Sequence, residues 1–511
     1  MAMKLFRKKG KKEPANDKKP PVREVHLEQE SEPIDAKGRN TELGIITYAF
    51  VLLFIAMIGY LVYLNVWKAD SLNSSSYNTK QDANEDKYVR GSIYSSDGQV
   101  LAYTSVAEDG TETRVYPYGN VFSHVVGYST VGKSGLESTS NSDLMTSHTS
   151  VLTQLREESD EKQLGDSVYT TLNTTLQQTA YSALGSYNGA VIAMEPDTGK
   201  ILAMVSKPDF DPNSISEIWE QVINDSTSSV LLNRATQGLY PPGSTFKILT
   251  TLAYIRENPT TYSDFSFDCE GTLEQSGASI HCYNYKVHGT VDLKTAFAKS
   301  CNTTYASIGL NLEKNSLASV CEEFLLGDSL TLPTSLVHSA SKFDLSSDAS
   351  YGEIMQTAIG QGNTEVTPLH MAMITATVAN DGVMMRPYLV DYVEASDGTS
   401  VSSNSPSKYK RLMTTEEASI LQEFMEETVI SGTATSLSWY DFTVAGKTGS
   451  AEYGSEESGG THSWFVGYSS GSSGEADLVV VVIAEDGGAG SDTAVPIASQ
   501  VFQAYYNYVA E

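Results

Sequence analysis

The residues from Leu43 to Trp67 carry no charged side chain, and these 25 residues, rising about 1.5 Å each, reach roughly 37 Å, more than the ~30 Å hydrocarbon core of a bilayer. A chain with one such stretch near its start folds in two solvents. One helix satisfies its own backbone in lipid, and everything after it folds in water. A cleaved leader has an apolar region of only about 7–15 residues followed by a small-residue cleavage pattern. Neither fits before Lys68, so the stretch reads as an uncleaved single-pass anchor. Lys4, Arg7, Lys8, Lys9, Lys11, Lys12, Lys18 and Lys19 precede it, and the positive-inside rule keeps them cytoplasmic and sends the rest of the chain outside. The formal net charge of −29 sits almost wholly in that outer part. Such acidity argues against nucleic acid as a partner and suits an exposed ectodomain.

Residues 1–42, rich in Lys, Glu and Pro, read as a disordered basic cytoplasmic tail. Residues 43–67 are the anchor, and the polar stretch Asp70–Asp86 is a linker opening a small membrane-proximal module over 68–164. Gly91–Tyr94, the Asp97-Gly98 turn and Gln99–Thr104 predict a hairpin there. From Gly165 a larger domain runs to residue 511. Its first elements are a helix over Leu172–Leu184, then strands Ala190–Met194 and Ile201–Ser206 around a Pro196–Gly199 turn. Strands at Val444–Gly446, Ser463–Tyr468 and Leu478–Ala484 and a helix at Val495–Tyr508 close it. Helical patterns at Gly243–Arg256, Leu293–Leu310 and Leu369–Asn380 lie between. Strands from both ends with helices between predict an α+β fold, an antiparallel sheet flanked by helices.

The four cysteines, Cys269, Cys282, Cys301 and Cys321, are too few for a disulfide framework. Cys269 and Cys282 either close a short loop outside the cell, where oxidation is allowed, or remain reduced and partly buried. No His or Cys stands at familiar ligand spacing, so no metal site and no cofactor are expected.

The decisive segment is Tyr240-Pro241-Pro242-Gly243-Ser244-Thr245-Phe246-Lys247. Pro-Pro-Gly punctuates a turn, Ser244 opens an apolar helical run, and Lys247 three residues on shares its face. A serine hydroxyl needs a neighbouring base to become a nucleophile, and a desolvated lysine crowded by cations supplies one. Ser-x-x-Lys alone is weak: Ser339…Lys342, Ser405…Lys408 and Ser407…Lys410 match it in polar, loop-like stretches. Ser300-Cys301-Asn302 is a second element, although Ser-x-Asn recurs at Ser71…Asn73 and Ser402…Asn404. Gly446-Lys447-Thr448-Gly449-Ser450 occurs once, on a predicted strand whose small residues let a ligand backbone approach, with Lys447 and Thr448 as donors to a carboxylate.

In this order, Ser-x-x-Lys, Ser-x-Asn and Lys-Thr-Gly resemble the signature of penicillin-binding proteins and serine β-lactamases. Arg90-Gly91-Ser92-Ile93, Asp97-Gly98, Leu101-Ala102 and Gly135-Leu136-Glu137 resemble the N-terminal, dimerisation-like module of class B penicillin-binding proteins. Thr198–Met204, Pro208–Asn213, Asn233-Arg234-Ala235, Gly360-Gln361-Gly362, Thr367-Pro368-Leu369 and His462–Tyr468 extend the likeness over nearly everything after the span.

The resemblance implies the serine β-lactamase/penicillin-binding transpeptidase fold and a D,D-transpeptidase acting on peptidoglycan stem peptides ending in D-Ala-D-Ala, with β-lactams as mimics. By that resemblance Ser244 is the nucleophile, Lys247 its base and Ser300 the proton shuttle. Asn302 holds the substrate amide, Lys447, Thr448 and Gly449 bind the terminal carboxylate, and the backbone N–H groups of Ser244 and Ser450 form the oxyanion hole. Relatives work beside a membrane glycan polymerase, an expected partner here, since no stretch between Lys68 and Gly165 has room for a polymerase domain. Cys301 stands where class A β-lactamases carry Asp, which weakens that alternative. A D,D-carboxypeptidase and a non-catalytic penicillin-binding scaffold are the other readings. Arg90, Gly91 and Glu137 are expected to hold the module against the large domain, His462 and Trp464 to anchor a strand, and Tyr505, Tyr506 and Tyr508 to pack.

Overall fold

The computed structural model describes residues 36–64, 87–149, 162–225, 228–333, 335–346, 348–454 and 459–510. The tail to residue 35, the last residues of the apolar stretch and the Asp70–Asp86 linker lie outside the described residues. The chain divides into two units, Met1–Ala69 and Asp70–Glu511. In the first, one helix spans Ala36–Tyr63, and its segment Leu43–Tyr63, 21 residues of mean hydropathy 2.5, is long and apolar enough to cross a membrane. Large apolar side chains of this segment, Leu52 and Phe54 among them, are exposed.

The second unit is built on a five-stranded antiparallel sheet. Its strands are β1 (Gly189–Met194), β2 (Ile201–Lys207), β3 (Thr443–Tyr453), β4 (Gly460–Ser470) and β5 (Ala476–Ala484), in the order β3-β4-β5-β1-β2. The run Leu478–Ile483 has no polar alternation because both faces of β5 are covered. Val479, Val481 and Ile483 join the cluster containing Leu369, Met371 and Met373, while Leu478, Val480 and Val482 join the one containing Leu176, Val501 and Phe502. The first face carries the helix Pro368–Ala379, buried along its whole length, with Pro368 at its first turn and Thr367 capping the His370 N–H. The second carries the helices Thr174–Leu184 and Ala494–Tyr508. The expected strand at Val444–Gly446 is longer than its apolar residues suggested, because β3 continues in register with β4 through the Lys-Thr-Gly segment to Tyr453.

A second sheet joins distant parts of the chain. Ser400–Ser403, Val390–Glu394, Ser167–Thr170, Ile93–Tyr94, Val100–Val106 and Glu112–Val115 lie side by side in that order. The predicted hairpin is thus present, and Tyr94, Tyr169 and Tyr392 stack across three strands with centroids 4.8 and 4.3 Å apart.

Arg90 and Glu137 do not clamp the module to the large domain as expected. Glu137, fully buried, takes Arg90 Nε at 2.5 Å and Arg114 Nε at 2.7 Å, and Arg90 also bonds Asn141, all four residues belonging to the segment 90–141. A buried carboxylate needs paired cations within its own shell, and the nearest stretches of chain supply them. Links to the larger part include hydrogen bonds of side-chain amides: Asn213 exchanges hydrogen bonds with the Tyr116 backbone at 2.9 and 3.0 Å, and Asn120 Nδ2 donates to Asp209 at 2.6 Å. Among the C-terminal tyrosines, Tyr506 packs on Phe442 and donates to Asp477, whereas Tyr508 is exposed.

Candidate active site

Ser244 sits in a 3₁₀ turn, Gly243–Phe246, and Lys247 is the first residue of the helix α1 (Lys247–Glu257) that follows. In a 3₁₀ turn residues i and i+3 eclipse, so the two side chains leave the chain on one side. Three contacts fix this turn on the sheet. The Gly243 N–H donates to the Gly360 carbonyl at 2.8 Å. The Trp464 indole N–H donates to the Pro241 carbonyl at 3.1 Å, and the Tyr240 hydroxyl donates to Glu485 at 2.8 Å. Gly243 has φ +53°, and a Cβ there would lie 2.9 Å from the Ser450 carbonyl, so the turn needs glycine for both its conformation and its closeness to β3.

Lys247 is completely buried. Its Nζ donates to the Ser300 carbonyl at 3.0 Å, Ser300 Oγ at 3.3 Å and Asn302 Oδ1 at 2.7 Å, which uses the three donors of an ammonium. Burial pushes the Lys247 ammonium down to about 8, toward the range in which a lysine gives up its proton. Among the described residues no hydrogen bond joins Lys247 to Ser244, whose hydroxyl is partly exposed and has no partner. The Ser-x-x-Lys spacing therefore brings the pair to one side, and Lys247 is engaged with the Ser-x-Asn triplet in this state.

That triplet interrupts what periodicity alone reads as one helix over Leu293–Leu310. The structure breaks it into α2 (Leu293–Ala298) and α3 (Asn302–Asn311), with Ser300 between them at φ +56°. A non-glycine residue in that region is strained by about 1–3 kcal/mol, and nothing in apolar spacing marks it. The break turns Ser300 Oγ and Asn302 Oδ1 toward Lys247, and Asn302 Nδ2 donates to the His281 carbonyl at 2.9 Å.

Lys447, Thr448, Gly449 and Ser450 lie on β3, the edge of the sheet. The Gln361 carboxamide bridges the N–H and C=O of Glu452 at 3.0 and 3.1 Å, so those groups face away from β4. Because β3 pairs with β4 without a register shift, the alternation of an antiparallel strand turns the main-chain groups of Ser450 and Thr448 outward too. The close approach of the Ser450 carbonyl to Gly243 agrees. Lys447 is fully buried, its Nζ donating to the Thr448 carbonyl at 3.1 Å; burial, and then the charge of Lys247, hold its ammonium well below the usual lysine range. Thr448 Oγ1 bonds Thr433 Oγ1 at 2.5 Å. Thr433, after the helix Thr415–Ile430, was missed by sequence reasoning and belongs to no motif. His462 stacks on Tyr453 with centroids 4.3 Å apart, and Trp464 is fully buried, so both anchor as expected.

The fold also gathers residues that stand at no familiar ligand spacing in the sequence. Cys269, Cys282, His288 and Cys301 come together, their ligand atoms all within 4.8 Å of one another, and the four cysteines are free thiols. Twelve, five and twelve residues separate successive members, so only tertiary structure joins them.

The Penicillin binding protein transpeptidase domain matches residues 189–503, and the Penicillin binding protein A dimerisation domain matches residues 90–168. The peptidoglycan D,D-transpeptidase PbpA of Mycolicibacterium smegmatis is 31% identical over 476 residues, covering 88% of this chain and 94% of that one. The MrdA transpeptidase of Acinetobacter baumannii is 27% identical over 446 residues, 76% of this chain and 65% of its own. Penicillin-binding protein A from M. tuberculosis, solved as a penicillin G acyl-enzyme complex, superposes with a TM-score of 0.74 at 30% identity, covering 82% of this chain and 100% of that one. The D,D-transpeptidase domain of a peptidoglycan glycosyltransferase from Eggerthella lenta gives 0.73 at 33% identity, over 82% and 98% of the two chains.

Proposed function

The chain belongs to the penicillin-binding protein transpeptidases, and from that premise we propose how its own residues carry out the reaction. It is a peptidoglycan D,D-transpeptidase and a target of β-lactams, the activity and the acyl-enzyme chemistry that its relatives' names record. The observation that carries the assignment of roles is the buried Lys247 ammonium, shared between Ser300 and Asn302 one turn from a serine hydroxyl with no partner among the described residues.

When Lys247 is neutral, its lone pair takes the proton of Ser244 Oγ as that oxygen attacks the penultimate carbonyl of a D-Ala-D-Ala stem. The carbonyl π electrons move to oxygen, and the outward N–H of Ser450 and the N–H of Ser244 hold the oxyanion, a contribution of about 2.7–4 kcal/mol per donor. Collapse breaks the peptide bond; the Lys247 proton passes through Ser300 Oγ to the departing amine, and free D-Ala leaves. An amine from a neighbouring stem then attacks the acyl-serine ester by the reverse route, forming the cross-link and returning the proton to Ser244. Asn302 Nδ2, with one hydrogen left beyond its bond to His281, orients the substrate amide. Lys447, Thr448 and Gly449 receive the terminal carboxylate, the negative charge that two neighbouring buried lysines require.

Residues 68–164 form the membrane-proximal module and 165–511 the catalytic domain in this reading. The helix Ala36–Tyr63 anchors the protein with its N-terminus cytoplasmic and the reaction outside, beside a glycan polymerase that supplies the strands to be joined.

Intact-mass spectrometry after incubation with benzylpenicillin tests the nucleophile: one stable adduct on the wild type, none on Ser244→Ala. With a pentapeptide donor and an amine acceptor, a cross-linked product identifies the transpeptidase. Release of D-Ala without that product would show a carboxypeptidase instead.

A further inference from the structure

We propose that Cys269, Cys282, His288 and Cys301 bind one Zn²⁺ in a closed structural Cys₃His site that fixes the Ser-x-Asn turn. Tetrahedral zinc, with Zn–S near 2.3 Å and Zn–N near 2.05 Å, requires ligand atoms about 3.8 Å apart for sulfur pairs and about 3.6 Å for sulfur and nitrogen. Here Cys269 Sγ and Cys282 Sγ are 3.7 Å apart, Cys282 Sγ and Cys301 Sγ 3.6 Å, and Cys269 Sγ and His288 Nδ1 3.4 Å. The three cysteines are buried and His288 is half-buried, so the donors converge largely away from solvent. Soft thiolates with one imidazole select zinc over magnesium or calcium, and four protein ligands leave no open position for chemistry.

The surroundings suit metal-bound thiolates. Thr303 Oγ1 donates to Cys269 Sγ at 3.1 Å and Thr304 Oγ1 to Cys301 Sγ at 3.0 Å, both from the first turn of α3. Hydroxyl donors of this kind orient ligands and disperse their charge. The alternative of a Cys269–Cys282 disulfide uses two of four converging ligands and leaves Cys301 and His288 unexplained.

The site joins the ends of short strands. Cys269 ends the strand Phe267–Cys269, Cys282 follows Ala278–His281 and His288 precedes Gly289–Val291. These strands pair only as two-stranded ribbons, which are marginal alone. Cys301 is the middle residue of the Ser300–Asn302 triplet, so the metal ties this segment to the strained turn facing Lys247.

The full-length protein, purified in detergent without chelator, should carry one zinc per chain by elemental mass spectrometry. Cys282→Ser and His288→Ala should each weaken zinc binding by more than about 100-fold, the upper end of what loss of an outer-shell partner causes. Since either variant can misfold, wild-type protein exchanged into Co²⁺ gives an independent reading: thiolate-to-cobalt charge transfer with the ligand-field bands of a tetrahedral site. Stripping the metal should slow benzylpenicillin acylation by about 10–100-fold, with recovery on adding Zn²⁺. Metal-free protein with four alkylatable thiols, a mass showing a Cys269–Cys282 disulfide, an octahedral cobalt spectrum or an acylation rate indifferent to the metal each overturns the proposal. Metal content is read without reference to Ser244, so failure here and failure of the proposed reaction are distinguishable.

Discussion

The indole N–H of Trp464, on the second strand of the central sheet, donates to the carbonyl of Pro241, three residues before the nucleophile. The sheet thereby holds the turn that presents Ser244, and a residue with no chemistry of its own sets where the hydroxyl stands. Trp464→Phe keeps the ring packing and removes this one bond. It should cost about 1 kcal/mol of stability and slow acylation by about tenfold. Stopped-flow β-lactam acylation beside a thermal melt checks this; an unchanged rate with a lowered Tm would assign Trp464 to stability alone.

Lys247 gives the reaction its pH dependence. Burial holds its ammonium down to about 8 in the folded protein, and the base is the neutral amine, so the acylation rate should rise with pH and level off above about 8. The linkage has a definite sign. Between about 8 and the unfolded value of 10.5 the unfolded chain binds more protons, so the penalty of burying Lys247 is fully present below pH 8 and fades as pH rises through that window. Lys247→Arg cannot deprotonate and should lower acylation by about 10²–10⁴-fold. A flat rate profile from pH 6 to 10 would falsify the assignment.

Ser300 separates hydroxyl from backbone. Ser300→Ala removes the shuttle and keeps a Cβ at φ +56°, whereas Ser300→Gly removes both the hydroxyl and the strain. Both variants should acylate more slowly, and the glycine variant should be the more stable by about 1 kcal/mol. Equal melting temperatures would mean that the turn stores no strain.

Glu137 concerns stability and not chemistry. Burial raises its carboxyl, but Arg114 and Arg90 outweigh burial and hold it below the usual carboxylate range. Its contribution is therefore present above the unfolded value of 4.5 and lost as pH falls through the folded one. Glu137→Gln leaves two arginines short of a countercharge and should cost about 3–5 kcal/mol. Calorimetry at neutral pH should show the loss, and penicillin labelling of the folded fraction should be unchanged.

What the sequence discloses follows the range of each interaction. Ser244 and Lys247 are legible because three residues of spacing fix their relation locally, and the Leu478–Ile483 run is legible because both faces of its strand are buried. The break at Ser300 is not, since apolar periodicity continues through it and the left-handed backbone belongs to a helix C-cap in which the Cys301 N–H returns to the Ala296 carbonyl at 2.9 Å. Thr433 and the Cys₃His group depend on segments that meet only in three dimensions. Arg90 and Glu137 are legible as structural residues, but the surface they serve is not, because a motif in sequence says nothing of which side of a seam its side chains pair on.

The edge strand carrying Lys447 has one further consequence. An open strand edge invites pairing with any passing extended chain, including another copy of the same protein. Here Gln361 occupies the outward groups of Glu452 and the Ser244 turn stands beside the Ser450 carbonyl, so the end of the edge nearest Tyr453 is obstructed. Those two obstructions shorten the run of edge that another protein's strand could pair with, so the turn that presents the nucleophile also guards the sheet against aggregation.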